Sequence, residues 1–303
     1  MQPLVSILTP TYNCGKYIHR LLDSILRQTY QSIEMFVIDD GSTDNTKNII
    51  EKYSTLFSAK GYNLNYIYQE NQGQSVAINN GLKLISGEYV IWPDADDFFK
   101  TEDAIECLVN ALECNDKSYA MARCLIEYLN EDDLKVITQI ESSDDFSERL
   151  FEDCLYTNNG FWFGSGCYIA RYSALCEQIK GLDIYTNKDA GQNWQLMLPI
   201  FHKYKCVTIP EVKYSVVSRY DSHSRGHYAD RKAVNTKLRS YCATLLSTLD
   251  CIPSMSAQEK VFYKNRIIKK YRKLIFQNNF YYLVKRPIKQ NIRRIYYKLK
   301  ELL

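Results

Sequence analysis

Two acidic runs, Asp39-Asp40-Gly41-Ser42 and Asp94-Ala95-Asp96-Asp97, each follow an apolar stretch, Ile33–Ile38 and Tyr89–Trp92. Carboxylates gathered at one edge repel each other unless something cationic lies between them. Asp94 and Asp96, two residues apart, suit a hard divalent ion that few protein groups hold and whose coordination phosphate oxygens complete. Such an ion would neutralise a departing diphosphate, a Lewis-acid role. The same aspartates also serve as turn residues capping a helix near Thr101, and Asp39 or Asp40 as caps of a helix after Ser42. A third polar stretch, Thr9-Pro10-Thr11-Tyr12-Asn13, follows the first apolar run of the chain.

An alternation of strand and helix signals positions these three stretches. Val5–Thr9 reads as a strand. Ile18, Leu21, Leu22, Ile25 and Leu26 then recur at i, i+3, i+4, i+7 and i+8, one face of a helix within Tyr17–Thr29. Ile33–Ile38 is the next strand. A helix follows with Ile49, Ile50, Tyr53, Leu56 and Phe57 inward and Ser42 or Asp44 as its N-cap. Leu64–Tyr68 reads as strand, Ser75–Ile85 as helix and Tyr89–Trp92 as strand. This β-α-β order predicts an α/β fold with a mostly parallel sheet and helices on both faces. Ligands bind such sheets beyond the carboxyl ends of the strands, where all three polar stretches fall. Helix N-termini after the first two add partial positive charge for an anion.

Past a helix at about 101–115 the pattern is mixed. Tyr119–Leu129 and Leu134–Ile140 read as strands around an acidic turn, and Phe161–Ala170 as a strand-like run. Ala190–Lys203 reads as a helix despite Pro199, and Cys206–Val217 as a strand. From there the chain turns helical, with breaks expected at Pro253 and Pro287. The expected units are 1–220, divided near residue 100, and a helical region 221–303.

Of the 303 residues, 46% are hydrophobic and 24% charged, which excludes a disordered tail, a collagen-like fibre and a disulfide-stapled miniprotein. No two of the ten cysteines have the two-residue spacing of zinc ribbons or redox pairs, so they read as small apolar residues in a reduced, cytoplasmic protein. No secretory leader is expected before Val5, and no run of 18 apolar residues is uninterrupted. The formal net charge of +3 hides a division. Residues 260–303 carry 14 Lys/Arg against Glu301, whereas the first 259 carry 24 basic and 34 acidic side chains.

Read in order, Val5–Asn13, Ser24–Thr29, Val37–Asp44, Asn71-x-Gly73 with Ala77-x-Asn79-x-Gly81, and Asp94–Asp97 resemble glycosyltransferase family 2. The resemblance is dense over about 1–100, thin over 100–220, and does not reach 221–303. It implies a GT-A fold that binds a nucleotide-sugar, usually with UDP, and transfers the sugar with inversion. By that resemblance Pro10 and Tyr12 border the base, Asp40 accepts a hydrogen bond from it, and Asp39 lies beside it. Asp94 approaches the ribose or sugar, and Asp96 binds Mn²⁺ or Mg²⁺ through the diphosphate. Thr11, Asn13, Gly73 and Asp97 belong to the same nucleotide-sugar site. Tyr12 is also readable as a packing aromatic.

Inverting transfer needs a carboxylate to take the proton of the acceptor hydroxyl. Family members often carry an acidic pair before a Trp at the start of a late helix. Here the pair is Gln192-Asn193 before Trp194, and neither amide can act as a base. Asp189 is the nearest carboxylate, as base or as N-cap. Gln192 and Asn193 are then candidates for hydrogen bonds to a sugar. In Ser218–Arg225, His223 is a candidate metal ligand, and Arg219 or Arg225 a candidate phosphate partner, or solvated loop residues. Phe161–Gly166 lines an acceptor pocket or belongs to the core.

In the tail, Val261, Ile268, Tyr271 and Ile275, and then Ile288, Ile292, Ile295 and Leu299, follow helical spacing among Lys and Arg. A basic amphipathic helix suits an anionic membrane surface, or docks on the acidic part of the chain. No nucleic-acid partner is expected. The resulting expectation is a metal-dependent inverting glycosyltransferase acting on a glycan or lipid-linked acceptor in bacterial surface polysaccharide synthesis. It would be peripheral on the inner face of the membrane. The rival expectation is a catalytically inactive nucleotide-sugar-binding or membrane-associated scaffold module.

Overall fold

The computed structural model describes residues 2–144, 146–186, 191–219 and 230–282. Its first part is β1 (Val5–Thr11), α1 (Ile18–Leu26), β2 (Ile33–Asp39), α2 (Thr46–Lys60), β3 (Asn63–Tyr68), α3 (Gln74–Leu82) and β4 (Tyr89–Ile91). β1 pairs in parallel with β2 and with β4, and β2 with β3. Every residue of β1 and β2 is buried, so neither strand alternates between a core and a solvent face, and the buried Ser6 donates its hydroxyl to Glu34 of the neighbouring strand. α1 seats Ile18, Leu21, Leu22 and Ile25 in the core, the face that its spacing predicts. α2 starts later than expected, with Asn45 rather than Ser42 or Asp44 at its N-cap. Asp44 nevertheless does the capping work: its Oδ1 accepts from Thr46 N at the start of the helix (3.0 Å) while Oδ2 accepts from Gly15 N, and Ser42 Oγ is taken by Asn13 N.

The remainder of the sheet comes from β5 (Phe98–Phe99), β6 (Tyr119–Asn130), β7 (Val136–Gln139), β8 (Tyr168–Arg171) and β9 (Lys205–Ser218). The helices α4 (Ala104–Glu113), α5 (Phe151–Tyr156), α6 (Tyr172–Gln178) and α7 (Gln192–Lys203) lie between them in sequence. Strand order is β3-β2-β1-β4-β8-β6-β9-β5, with β7 paired to β6. β8 enters antiparallel between β4 and β6, so the uninterrupted parallel part is β3-β2-β1-β4. β6 and β9 are again parallel.

The strand expected over Phe161–Ala170 is confined to β8, preceded by a loop and a 3-10 turn at Ser165–Cys167. The backbone is pressed close here: a Cβ on Gly166 would lie 2.3 Å from the Tyr214 ring. Trp162 is buried with its ring 3.8 Å from the Arg123 guanidinium, and Phe163 packs edge-on to Trp194, so this aromatic run belongs to the core.

After the sheet, α8 (Arg231–Cys251) and α9 (Ala257–Phe280) form a helical pair broken at Ile252-Pro253. Asp230 caps α8 by accepting from Ala233 N, and Ser256 with Glu259 forms a capping box on α9. α9 buries Ile267 and Tyr271, whereas Val261 is 61% exposed, so its inward stripe is rotated from the predicted one. α9 docks on the rest of the molecule: Tyr263 Oη donates to Glu152, and Lys270 Nζ to the Tyr156 carbonyl. Pro287 and the second predicted tail stripe lie outside the described residues. No helix among the described residues is long and apolar enough to cross a membrane, and all ten cysteines are free thiols.

Candidate active site

β1, β2 and β4 carry the three polar stretches to one edge of the sheet, but the two acidic runs are treated differently there. At the end of β2, Asp39 accepts from Ser42 N (2.8 Å) and from Tyr66 Oη (2.7 Å). Burial, with the Asp39 carboxylate beside it, pushes the Tyr66 phenol above its ordinary range. Asp40 donates its N–H to the Thr11 carbonyl, tying β2 to β1. Its carboxylate accepts from Gln69 Nε2 (2.7 Å), Gln72 N (2.9 Å) and Gly73 N (2.8 Å). Asp40 therefore holds the 69–73 loop. Gly41 lets that loop approach: its φ is +85°, and a Cβ there would lie 2.8 Å from Asn71 N.

Asn13 braces the same edge from β1. With φ at 50° it donates N–H to Ser42 Oγ and accepts from Thr43 N, both at 2.8 Å. Pro10 and Thr11 are buried in β1, while Tyr12 presents 46% of its surface to solvent. Gly73, at φ 96°, caps α3 and directs it toward the second acidic run.

That run lacks the same saturation. Asp94 accepts from Ser165 Oγ (2.8 Å) and Gln74 Nε2 (3.3 Å), with Gln192 Nε2 at 3.5 Å. Asp97 is buried and accepts from Val217 N of β9 (2.8 Å). Asp96 Oδ2 is 2.7 Å from Arg219 Nε, and the guanidinium lies 4.5 Å from the Tyr17 ring centroid. Pairing of β5 with β9 brings these distant segments together, since Phe98 stands opposite Ser215 in the register. Burial and then the Asp96 charge raise Asp94 to about 6. Burial, followed by the charges of Asp96 and Asp94, pushes Asp97 well above the ordinary carboxylate range. The edge is crowded with negative charge: Asp97 is buried, whereas Asp94 and Asp96 are partly exposed, Asp96 with 18% of its side chain accessible.

At the start of α7, Gln192 reaches toward Asp94, but Asn193 is held by the scaffold. Its Oδ1 accepts from Trp92 Nε1 (3.1 Å), and its Nδ2 donates to the Phe163 carbonyl (3.2 Å). Asp189, His223 and Arg225 lie outside the described residues. Sequence reasoning missed Gln69, Gln74 and Ser165 as carboxylate partners, and the Asp96–Arg219 pair. Gln74 adjoins a quoted motif, and Ser165 lies within the Phe161–Gly166 stretch singled out above, though its carboxylate partner was not foreseen. Among the described residues, no group of three or more His, Cys, Asp or Glu forms a self-sufficient metal cage.

The class of protein follows from known chains. Residues 6–174 match the model of glycosyl transferase family 2, and the chain belongs to that family. The fold is the GT-A glycosyltransferase fold. Residues 1–349 of S. aureus TarS in complex with UDP-GlcNAc superpose with a TM-score of 0.64 over 93% of this chain and 76% of that one, at 19% identity. Mannosyltransferase PcManGT from Pyrobaculum calidifontis, in complex with GDP-Man and Mn²⁺, gives 0.54 over 92% and 85% at 18% identity. Glycosyltransferase GlyG of Streptococcus pneumoniae serotype 4 is 29% identical over 233 residues, 75% of this chain and 65% of that relative. The chain thus spans just under two thirds of the length of GlyG.

Proposed function

We propose that this chain is a metal-dependent inverting glycosyltransferase. It takes a nucleotide-sugar, in the first instance a UDP-sugar, and passes the sugar to a hydroxyl of a glycan or lipid-linked oligosaccharide in bacterial surface polysaccharide synthesis. One observation carries the reading: the partly exposed Asp96 stands among crowded carboxylates at the strand edge where the Thr9–Asn13 and Asp39–Ser42 stretches also end. Residues 1–220 are the catalytic unit, with the nucleotide half in about 1–100. The exposed Tyr12 ring is free to stack on a base, while Asp39, Asp40 and Asn13 fix the loops around it.

Mn²⁺ or Mg²⁺ fits this edge. Asp96 offers a hard oxygen donor, the neighbouring carboxylates favour added positive charge, and donor phosphates provide the remaining oxygens. When bound, the ion supplies positive charge opposite a leaving diphosphate. The chain's own residues do the rest. Arg219 counters charge at Asp96, Gln192 beside Asp94 offers an amide to a sugar hydroxyl, and Asn193 fixes Trp92 and the Phe163 backbone. Asp189 is the proposed base. GlyG, named as a glycosyltransferase, and the nucleotide-sugar complexes of the two fold neighbours support the donor assignment. The charge of 260–303 supports a peripheral position on the inner face of the membrane.

The test is release of nucleoside diphosphate from a panel of UDP-, GDP-, dTDP- and CDP-sugars, with and without Mn²⁺. The reading expects metal-dependent release from at least one donor, lost in Asp189→Asn. The Gln192-Asn193 pair favours a second reading, an inactive nucleotide-sugar-binding module. That reading expects nucleotide binding without turnover of any donor.

A further inference from the structure

A cavity of about 450 Å³ lies between the first half of α8 and the end of α9, lined by Arg231, Lys232, Asn235, Thr236, Arg239 and Asn279. Three of these residues are cations and none is a carboxylate. Arg231 and Lys232 stand at the start of α8, and Arg239 two turns further on. None of the three forms an ion pair among the described residues. Charges of one sign held around a concavity raise its affinity for the opposite charge.

The amides sharpen the preference. Asn278 Nδ2 donates to Asn235 Oδ1, and Asn235 Nδ2 donates to Asn279 Oδ1, both at 2.8 Å. These bonds tie the two helices together and turn the Asn235 and Asn279 side-chain oxygens toward each other's helix. Asn279 is left with its NH₂ group to offer the cavity. The lining is therefore rich in donors and cations, the complement of an oxyanion with several acceptor oxygens. Two guanidinium groups favour a phosphate, whose oxygens accept paired donors. The volume exceeds one phosphate group, which leaves room for a larger phosphorylated molecule.

We propose that this cavity is a second anion site, separate from the Asp94–Asp97 edge, which binds the phosphate group of a phosphomonoester or phosphodiester through Arg231, Lys232 and Arg239. The phosphate belongs either to a lipid headgroup or to a soluble phosphorylated molecule. At the same end of α9, Phe276, Phe280 and Tyr281 are 70%, 46% and 42% exposed, which suits the lipid source.

The experiment uses the full chain and two probes: glycerol 3-phosphate by calorimetry, and co-sedimentation with phosphatidylcholine vesicles with or without phosphatidylglycerol. Wild type is expected to bind glycerol 3-phosphate, and Arg231→Ala/Arg239→Ala to weaken it roughly tenfold or more, the scale of one lost charge-assisted contact. Arg231→Lys/Arg239→Lys should keep most of the affinity, and Asn279→Asp should weaken it without removing a cation. Circular dichroism melts establish that each variant is folded. Phosphatidylglycerol-dependent sedimentation lost in the double Ala variant identifies a headgroup. Binding of glycerol 3-phosphate without vesicle capture identifies a soluble source. Binding of neither probe by wild type, or equal binding by wild type and the folded Ala and Asp variants, overturns the proposal.

Discussion

The acidic runs after β2 and β4 look alike in sequence, yet they differ in what surrounds them. Asp39 and Asp40 are met by neutral donors, five hydrogen bonds in all, from Ser42, Tyr66, Gln69, Gln72 and Gly73. Asp94 and Asp97 also accept from neutral donors, but with Asp96 they press three carboxylates together against one guanidinium, with burial raising two of them. A carboxylate supplied with donors is a structural strut, whereas a crowded and partly exposed one seeks a cation. On the proposed reading the difference divides the labour: the β2 edge fixes the loops around the nucleotide, and the β4 edge carries the charge that the chemistry uses.

The comparison can be broken in four ways, in order of expected effect. Asp96→Asn keeps the shape but removes the charge, and should lower turnover by on the order of a hundredfold or more, the scale of losing one electrostatic contact in a transition state. Steady-state kinetics with the preferred donor checks this, with the urea midpoint little changed. Asp40→Ala should do the reverse in kind. It leaves Gln72 N and Gly73 N without their acceptor and should cost about 2–4 kcal/mol, read from urea unfolding.

The third prediction concerns pH. Asp94 titrates at about 6 when folded against an ordinary 3.8, so the folded form keeps a proton that the unfolded chain has released. Stability should be flat below about pH 4, fall as pH rises through about 4–6, and level off above, by up to about 3 kcal/mol. Asp97 is shifted in the same direction. Urea midpoints at pH 4, 5 and 6 in chelator read this, and Asp94→Asn should flatten the curve. The smallest effect is Tyr66→Phe, which removes one donor from Asp39 and should cost about 1 kcal/mol, with turnover retained.

The parallel half was legible because burial on both faces makes β1 and β2 mostly apolar, with the buried Ser6 and Glu34 paired to each other, and because α1 shows a clean 3.6-residue period. Phe161–Ala170 misled because an apolar run without a period reads alike in a strand and in a packed loop. The antiparallel entry of β8 between β4 and β6 depends on pairings of segments far apart in the chain. On α9 the stripe read through Ile268 is displaced by one position, because packing against the rest of the molecule buries its neighbour Ile267. At the site, motif positions found the carboxylates but not their partners. The Asp96–Arg219 pair exists only because β5 and β9 bring their loops together, and no local spacing encodes that.

The central claim is that Asp96 is the cation-requiring carboxylate of a nucleotide site. Calorimetry with UDP, GDP, dTDP and CDP, each with and without Mn²⁺, on wild type and Asp96→Ala tests it most directly. The account predicts nucleotide binding strengthened by Mn²⁺ in wild type, with the metal effect lost in the variant. Absence of binding to every nucleotide, or a Mn²⁺ effect unchanged in Asp96→Ala, would contradict it.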